Sequence, residues 1–234
     1  MHPLPVASGD LPDPCRIVEF EGSGHIVCKI DRRYRMRLAL NGENGKPYGS
    51  LAAFIAGQQA SAGLVLAMNA GMYEPDLSPV GFYVEDGRML GPLRKEDGYG
   101  NFFMKPNGVF FIGRDGAGIM TTEAFAKRDA GVRFATQSGP MLVINGKIHP
   151  RFEPNGTSRY IRNGVGIQGP HTVFLAISTE PVSLGRFARL FRDKLGCANA
   201  LFFDGGISAL SDDRNLLIGG TDPVGPILAV YKRN

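Results

Sequence analysis

Two segments of the sequence place a polar side chain and glycines directly after a run of apolar residues. Residues 64–68 precede Asn69-Ala70-Gly71-Met72-Tyr73, and residues 200–203 precede Asp204-Gly205-Gly206-Ile207-Ser208. A polar side chain at the carboxyl end of a buried strand, beside glycines that let a ligand approach, is a common basis for a binding site. Each polar residue could instead cap a turn, but the repetition favours a site that contains Asn69 and Asp204.

Other segments offer donors for an anionic ligand. Arg162 leads into Asn163-Gly164-Val165-Gly166, Asn107 leads into an apolar run, and Gln137-Ser138-Gly139 leads into another. A guanidinium binds carboxylate or phosphate oxygens through two parallel hydrogen bonds, so Arg162 would suit such a ligand. A salt bridge to a surface carboxylate is the alternative interpretation of Arg162.

Several other chemistries lack the residues they need. The sequence has no Gly-x-Ser-x-Gly nucleophile motif, no P-loop and no Gly-x-Gly-x-x-Gly after a strand. Its four histidines are not paired at ligand spacing and its three cysteines fit no zinc pattern, so a zinc site is not predicted. Carboxylates that suit Ca²⁺ or Mg²⁺ are available, with Asp212-Asp213 as a candidate and a solvated turn as the alternative.

The elements that would position these groups are mainly short strands joined by tight turns. Val, Ile, Phe and Leu dominate four segments bounded by Gly, Asn or Asp: residues 81–85, 108–112, 139–144 and 172–177. Asp86-Gly87, Asp115-Gly116 and Asn145-Gly146 are strong hairpin signals, because type I′ turns need positive φ at both central residues. The pattern predicts antiparallel pairing. The unbroken apolar runs that precede Asn69 and Asp204 predict strands covered on both faces.

Two helices interrupt the strand pattern. One is predicted over residues 50–62, with Ser50 as its N-cap, and the other over residues 183–195, ending at Gly196. Apolar residues recur in both at helical spacing, which indicates that the helices pack on the core.

The fold class predicted from these elements is α+β. We expect a single domain over residues 15–234, with a twisted mixed or mainly antiparallel sheet and two principal helices packed on it. Residues 1–14 contain four prolines and are predicted to form an extended N-terminal arm.

Composition and charge are those of a globular protein. The chain has 234 residues, of which 43% are hydrophobic and 21% charged, and its formal net charge is +4. One basic cluster, Arg32 to Arg37, places arginines 33, 35 and 37 on one face of a predicted strand. A solvated strand face is the favoured interpretation, an anion-binding patch is the alternative, and nucleic-acid binding is the least favoured reading. The chain contains no apolar stretch long enough to span a membrane.

Three cysteines bear on the compartment. Cys15 and Cys28 flank Gly22-Ser23-Gly24, a predicted turn between two extended runs, which could place the two thiols opposite each other. A disulfide there would indicate an oxidising compartment, and a reduced pair is the equal alternative. Cys197 is predicted to be a small buried residue. Residues 1–15 lack the basic and apolar regions of a signal peptide.

Taken together, the motifs resemble those of the phosphodiester glycosidase family. The resemblance rests on the order and spacing of Asn69-Ala70-Gly71-Met72-Tyr73, Ser138-Gly139-Pro140-Met141-Leu142, Arg162-Asn163-Gly164-Val165-Gly166 and Asp204-Gly205-Gly206-Ile207-Ser208. It covers roughly residues 15–231. The greater similarity is to bacterial members, many of them exported, in residues 100–110 and 135–144.

The resemblance implies hydrolysis of a sugar phosphodiester, as in the lysosomal family member that removes N-acetylglucosamine from one. Asp204 would lie near the anomeric carbon or a sugar hydroxyl, Arg162 would engage the phosphate, Asn69 would orient the sugar, and Glu74 would be a second carboxylate. These four are the predicted catalytic residues. The predicted substrate-binding residues are Gly71, Tyr73, Asn107, Ser138, Gly139, Arg159, Gly205, Gly206 and Ser208.

The expected partner is a small-molecule or glycan sugar phosphate, with no nucleic acid. No cofactor is required by the reading, and Ca²⁺ or Mg²⁺ are the ions that the carboxylates would take. The resemblance implies a periplasmic or secreted protein, with the cytoplasm as the alternative. The competing class is a non-catalytic module that binds a glycan or sugar phosphate in the cell envelope with the same pocket.

Overall fold

The architecture was derived from a computed structural model that describes residues 11–59, 62–128, 131–204 and 206–233. Of the predicted arm, residues 1–10 lie outside the described residues. No helix in the described ranges is long and apolar enough to cross a membrane.

Short strands make up most of the described chain, and the helices are few. The strands in chain order are β1 (Cys15–Phe20), β2 (Ser23–Ile30), β3 (Tyr34–Ala39), β4 (Leu64–Asn69), β5 (Tyr83–Glu85), β6 (Arg88–Gly91), β7 (Gly108–Gly113), β8 (Gly116–Thr121), β9 (Phe134–Ser138), β10 (Met141–Ile144), β11 (Lys147–Ile148), β12 (Asn163–Gly169), β13 (Thr172–Ser178), β14 (Asn199–Asp204), β15 (Leu210–Asp212), β16 (Leu216–Ile218) and β17 (Ile227–Lys232). The helices are α1 (Leu51–Ala56), α2 (Thr122–Phe125) and α3 (Leu184–Arg189), and α3 continues as a π-helical turn over Leu190–Lys194.

The strands form three antiparallel sheets. The largest has the order β1-β2-β13-β12-β14-β10-β11, the second β16-β15-β4-β17-β3, and the third β6-β5-β9-β7-β8. Each sheet turns one face to a shared core, in which the rings of Phe110 from the third sheet and Phe203 from the first meet edge to face. The outer faces are covered by one helix each: α3 on the first sheet, α1 on the second and α2 on the third.

The predicted antiparallel pairing is confirmed, but two parts of the fold prediction are wrong. The described residues form three sheets rather than one, and they are mainly β rather than α+β. Apolar alternation identifies a strand without identifying its partner, so the strands could not be assigned to separate sheets. The apolar runs before Asn69 and Asp204 do form strands buried on both faces, β4 and β14, although the two belong to different sheets.

The predicted helix starts are correct, and one predicted end is not. The Ser50 hydroxyl accepts the N–H of Ala53, and the Ser183 hydroxyl accepts the N–H of Arg186. These two serines therefore cap α1 and α3. α1 ends after six residues at the cap Gly57 rather than at residue 62.

Turn chemistry places the hairpins where the sequence suggests. Asp86-Gly87 and Asn145-Gly146 both have positive φ at both positions, as a type I′ turn requires. The β7–β8 hairpin is displaced by one residue, because Gly113 pairs with Gly116 and the loop is Arg114-Asp115.

A disulfide joins Cys15 to Cys28, so the first of the two alternatives for these cysteines is confirmed. The two residues are register partners across the β1–β2 hairpin, which turns at Glu21-Gly22 with positive φ at both. The predicted turn at residues 22–24 is therefore shifted by one residue. Cys197 is a buried free thiol, as predicted.

Reduction of this disulfide should destabilise the protein measurably. Closing a loop of this length is worth about 3 kcal/mol of unfolding free energy. We expect urea unfolding with dithiothreitol to show a loss of about 2–3 kcal/mol relative to the oxidised protein. The Cys15→Ala/Cys28→Ala double variant should unfold identically with and without the reductant. Equal midpoints for oxidised and reduced wild type would contradict a stabilising role.

Candidate active site

A cavity of about 460 Å³ opens where β14 ends, and Asp204 forms part of its wall. Cavities of this volume hold small ligands. The other walls come from the segment after β4 and from the loop that precedes β7. Its lining residues are Met72, Tyr73, Glu74, Val80, Tyr99, Gly100, Asn101, Phe102, Phe103 and Asp204. The cavity therefore brings together three predicted site residues, Asp204, Glu74 and Tyr73.

The backbone of Asp204 is held on several sides. Its N–H donates to Asn163 Oδ1 at 3.2 Å, and its carbonyl accepts the Ser208 hydroxyl at 2.9 Å. Its side-chain Oδ1 accepts the N–H of Gly206 at 2.9 Å. Gly205, a predicted binding residue, lies outside the described residues. These bonds hold the Asp204 carboxylate at the carboxyl end of β14.

Two buried asparagines join β12 to β4 beneath this loop. Asn163 Nδ2 donates to both the carbonyl and the Oδ1 of Asn69, each at 2.8 Å. Asn69 Nδ2 donates to the carbonyl of Ile207 at 2.6 Å, and Asn69 Oδ1 accepts the N–H of Ala209 at 2.8 Å. Both side chains are buried, and these contacts position the loop that follows Asp204. That Asn69 or Ser208 orients a sugar stays a prediction.

β9 ties the ends of β4 and β14 to the third sheet. The Thr136 hydroxyl donates to the carbonyl of Ala70 at 2.8 Å, and the Ser138 hydroxyl donates to the carbonyl of Phe203 at 2.7 Å. Gly71 has φ 144°, and a Cβ there would lie 2.7 Å from the Thr136 hydroxyl. Gly71 and Ser138 thus shape the site from below, while a direct contact of either with substrate stays a prediction.

Asn107 and Gly139 support the wall formed by Phe102. Asn107 is buried, and its Nδ2 donates to the carbonyl of Phe102 at 2.9 Å. A Cβ at Gly139 would lie 2.6 Å from that same carbonyl, so the close approach depends on glycine.

Tyr73 and its surroundings give the cavity a weakly acidic hydroxyl. The Tyr73 hydroxyl donates to the carbonyl of Pro223. Burial, followed by the negative charges of Asp204 and Asp222, raises the pKa of Tyr73 to about 12. The phenol therefore stays protonated at neutral pH, with its proton on the bond to Pro223, and does not act as a base.

Arg94 is the cation beside Glu74. Its Nη1 lies 3.5 Å from Glu74 Oε1 and donates to the carbonyl of Val80 at 3.1 Å, and its guanidinium lies 5.9 Å from the Phe103 ring centroid. These three contacts are with cavity-lining residues, while its Nε donates to Glu96 outside the cavity, so Arg94 stands at the rim.

Arg162 lies apart from this cavity, under α3. Its Nε donates to the carbonyl of Val182 at 2.8 Å, its Nη2 donates to the carbonyl of Ser158 at 3.0 Å, and its guanidinium lies 5.4 Å from the Phe202 ring. Burial lowers the pKa of Arg162 to about 10, which leaves it charged at neutral pH. Its Nη1 is buried without a hydrogen-bond partner among the described residues, and Arg162 lines a separate cavity of about 210 Å³. Arg159 is exposed in the segment between β11 and β12.

The acidic groups give no sign of a metal centre. Within the described ranges, no three His, Cys, Asp or Glu side chains are grouped to hold an ion. Asp212 Oδ1 accepts the N–H groups of Arg214 and Asn215 at 2.6 and 2.5 Å, so the Asp212-Asp213 segment forms a turn.

Sequence reasoning missed Asn163, Arg94 and the wall residues 99–103 as site components. Asn163 had a usable signal, because it follows Arg162 in the quoted motif and an asparagine inside a buried strand needs a partner. Arg94 had none, since it reaches Glu74 across 20 residues of sequence from a loop without a motif.

Asp204 and Glu74 thus place two carboxylates in the wall of one ligand-sized cavity. The chain belongs to the phosphodiester glycosidase family, which it matches over residues 62–228. It is 38% identical over 174 residues to the uncharacterised protein YigE of Escherichia coli (strain K12), an alignment that covers 74% of this chain and 68% of YigE.

Two solved structures share the fold. The catalytic domain of zebrafish N-acetylglucosamine-1-phosphodiester alpha-N-acetylglucosaminidase, auto-inhibited by its pro-peptide, matches with a TM-score of 0.65 and 13% identity, over 94% of this chain and 82% of that one. A Burkholderia pseudomallei protein described as exported matches with a TM-score of 0.53 and 13% identity, over 93% of this chain and 74% of that one.

Proposed function

We propose that the chain hydrolyses the bond between a sugar and a phosphate in a sugar phosphodiester. The observation that carries this proposal is the presence of Asp204 and Glu74 in one cavity, in a chain of the phosphodiester glycosidase family. The similar zebrafish enzyme removes N-acetylglucosamine from such a compound, by its name, and supports N-acetylglucosamine as the first sugar to test.

The reaction needs one bond exchange at the anomeric carbon. The oxygen of water bonds to this carbon, the bond from the carbon to the phosphate oxygen breaks, and the phosphate departs as a monoester. A carboxylate takes the proton of the attacking water or stabilises the positive charge on the sugar. We assign this role to Asp204, which is hydrogen-bonded to Gly206 and Ser208, and an assisting role to Glu74.

The departing phosphate needs a positive charge rather than a strong acid. Phosphate is a good leaving group, so protonation matters less than for an ordinary glycoside. Arg94 is the proposed source of this positive charge. It contacts Glu74 and Phe103 at the rim of the cavity, and its planar guanidinium suits phosphate oxygens. Arg162, the residue predicted from the sequence for this role, is proposed to hold the backbone at Ser158 and Val182 together instead, because its guanidinium donates to both carbonyls.

The proposed compartment is oxidising, which means periplasmic or secreted. The Cys15–Cys28 disulfide supports this, because such bonds persist outside the reducing cytosol. The exported Burkholderia protein that shares the fold supports it further.

The test is hydrolysis of UDP-N-acetylglucosamine and of a simple sugar-1-phosphodiester, followed by proton NMR of the released sugar. Parallel reactions with EDTA, Ca²⁺ and Mg²⁺ determine whether an ion takes part. Release of the sugar by the wild type supports the proposal. Saturable binding of the same compounds without release would favour the non-catalytic module.

Glu74→Gln should lower kcat by about 10²-fold, because it removes a charge from the cavity that assists proton transfer or stabilises the transition state. Glu96→Gln is the matched control: Glu96 also pairs with Arg94, but it does not line the cavity. We expect the control to keep kcat within about twofold of the wild type. Equal losses in the two variants would mean that Glu74 acts only by holding Arg94.

A further inference from the structure

A second cavity, of about 500 Å³, lies at the far ends of the strands from Asp204. The strand β12 links the two regions: Asn163 at its start contacts Asp204, and Pro170, just after its end, lines the second cavity. At about 3.3 Å per residue, the length of β12 separates them by roughly 20 Å. The second cavity is therefore distinct from the candidate active site.

The rim of this second cavity is strongly basic. Five arginines line it, and Asp31 is the one carboxylate among its lining residues. Asp31 is already bonded by Arg33, which donates to both carboxylate oxygens. The five arginines are Arg32, Arg35, Arg114, Arg133 and Arg233.

Two of these five arginines have partners in the protein, and the other three are available to bind an anion. Arg133 pairs with Asp86, and Arg35 donates to the carbonyl of Ala62 and lies over the ring of Tyr231. The side chains of the other three, Arg32, Arg114 and Arg233, have no partner within the described part of the chain. Asp115 follows Arg114 in the β7–β8 turn, but it is exposed and does not line the cavity.

Hydrogen bonds between its turns hold the backbone of the rim. The N–H of Ala117 donates to the carbonyl of Pro170 at 3.0 Å, which joins the β7–β8 turn to the β12–β13 turn. A Cβ at Gly116, where φ is 119°, would lie 2.2 Å from that carbonyl, so this approach requires glycine. The N–H of Arg233 donates to the carbonyl of Arg33 at 2.9 Å. The backbone of the rim is therefore ordered before binding, and the ligand has to order only the exposed side chains of Arg32, Arg114 and Arg233.

The floor of the cavity is apolar, which strengthens the field of the rim. Ile30, Phe134 and Val173 are buried beneath the arginines. A cleft lined by charge of one sign above a wall of low dielectric concentrates the electrostatic potential.

We propose that this cavity binds a small anion that carries two or more phosphate groups. Three unpaired guanidiniums from three chain segments can each take two phosphate oxygens, which is more than one phosphate can satisfy. The volume suits a small ligand, whereas a nucleic-acid duplex would need an extended basic strip. This proposal does not depend on the hydrolytic function.

The experiment is calorimetric titration of the full chain with tripolyphosphate, compared with orthophosphate. We expect saturable binding of tripolyphosphate that is at least about tenfold tighter than that of orthophosphate. The double variant Arg32→Gln/Arg114→Gln should weaken it at least about tenfold. Arg214→Gln, an exposed arginine in the β15–β16 turn that does not line the cavity, should leave the affinity unchanged.

Two further measurements identify the cavity that binds tripolyphosphate and the class of ligand that this cavity prefers. Arg94→Gln should leave tripolyphosphate binding unchanged, and a loss there would assign the ion to the Asp204 cavity and overturn the proposal. A duplex DNA that binds more tightly than tripolyphosphate, and is weakened by the same double variant, would overturn it in favour of a nucleic-acid surface. Absence of saturable binding, or binding unchanged in the double variant, would overturn it as well.

Discussion

Asp204→Asn should lower kcat at least about 10³-fold on any sugar phosphodiester that the wild type hydrolyses, because asparagine cannot accept a proton or balance positive charge on the sugar. The folded state should change little, since asparagine retains the Oδ1 that accepts the N–H of Gly206 at 2.9 Å. We expect the free energy of unfolding to stay within about 1–2 kcal/mol of the wild type. Steady-state kinetics and urea unfolding measure the two quantities.

The matched control for this variant is Asp222→Asn. Asp222, like Asp204, raises the pKa of Tyr73 by its charge, but it is not among the residues that line the cavity. Its replacement should leave kcat within about twofold, because it removes a nearby charge without removing a reacting group. Activity near the wild-type value in Asp204→Asn would exclude this residue from the mechanism.

Asn163→Ala should both destabilise the protein and reduce turnover. The change removes the two bonds to Asn69 and leaves the N–H of Asp204 without the acceptor that Asn163 Oδ1 provides. Stranding buried polar groups costs about 1–3 kcal/mol each, so we expect a loss of about 3 kcal/mol in unfolding free energy. We expect kcat to fall about tenfold or more even where the variant is fully folded, because Asp204 loses its anchor.

Two companion variants separate these effects. Asn163→Asp keeps an acceptor for the N–H of Asp204 but loses the donor to Asn69, so its activity should lie between those of Asn163→Ala and the wild type. Ser211→Ala removes a buried hydroxyl of the second sheet whose bond is to the carbonyl of Ala67. It should cost about 1 kcal/mol of unfolding free energy and no activity. Wild-type kcat in folded Asn163→Ala would contradict a positioning role for the amide.

The sequence predicts local structure well because local structure has local causes. The two I′ turns follow from Asp-Gly and Asn-Gly, the helix starts follow from Ser50 and Ser183, and the hairpin that contains Glu21-Gly22 brings Cys15 opposite Cys28. The division into three sheets has no local cause. β4 pairs with β17, more than 150 residues away, and nothing in the apolar run before Asn69 specifies that partner.

The residues of the candidate site likewise divide into those that the sequence could predict and those that it could not. Asp204, Glu74 and Tyr73 could be predicted because they follow strand ends, and strand ends meet at the edges of sheets. Arg162 could not be placed with them by spacing alone. Arg162 immediately precedes β12, and the two neighbouring side chains diverge: Asn163 contacts the backbone of Asp204, whereas the Arg162 guanidinium lies over the Phe202 ring.

The asparagine pair and the two hydroxyls of β9 make all three sheets meet at the Asp204 end of the molecule. Asn163 links the first sheet to the second, and Thr136 and Ser138 link the third sheet to the ends of β4 and β14. Separation of any sheet from the others would break the bonds that shape the cavity, so the cavity depends on all three sheets. We therefore expect loss of the cavity to coincide with global melting, and a fragment that lacks one sheet to lack the cavity as well.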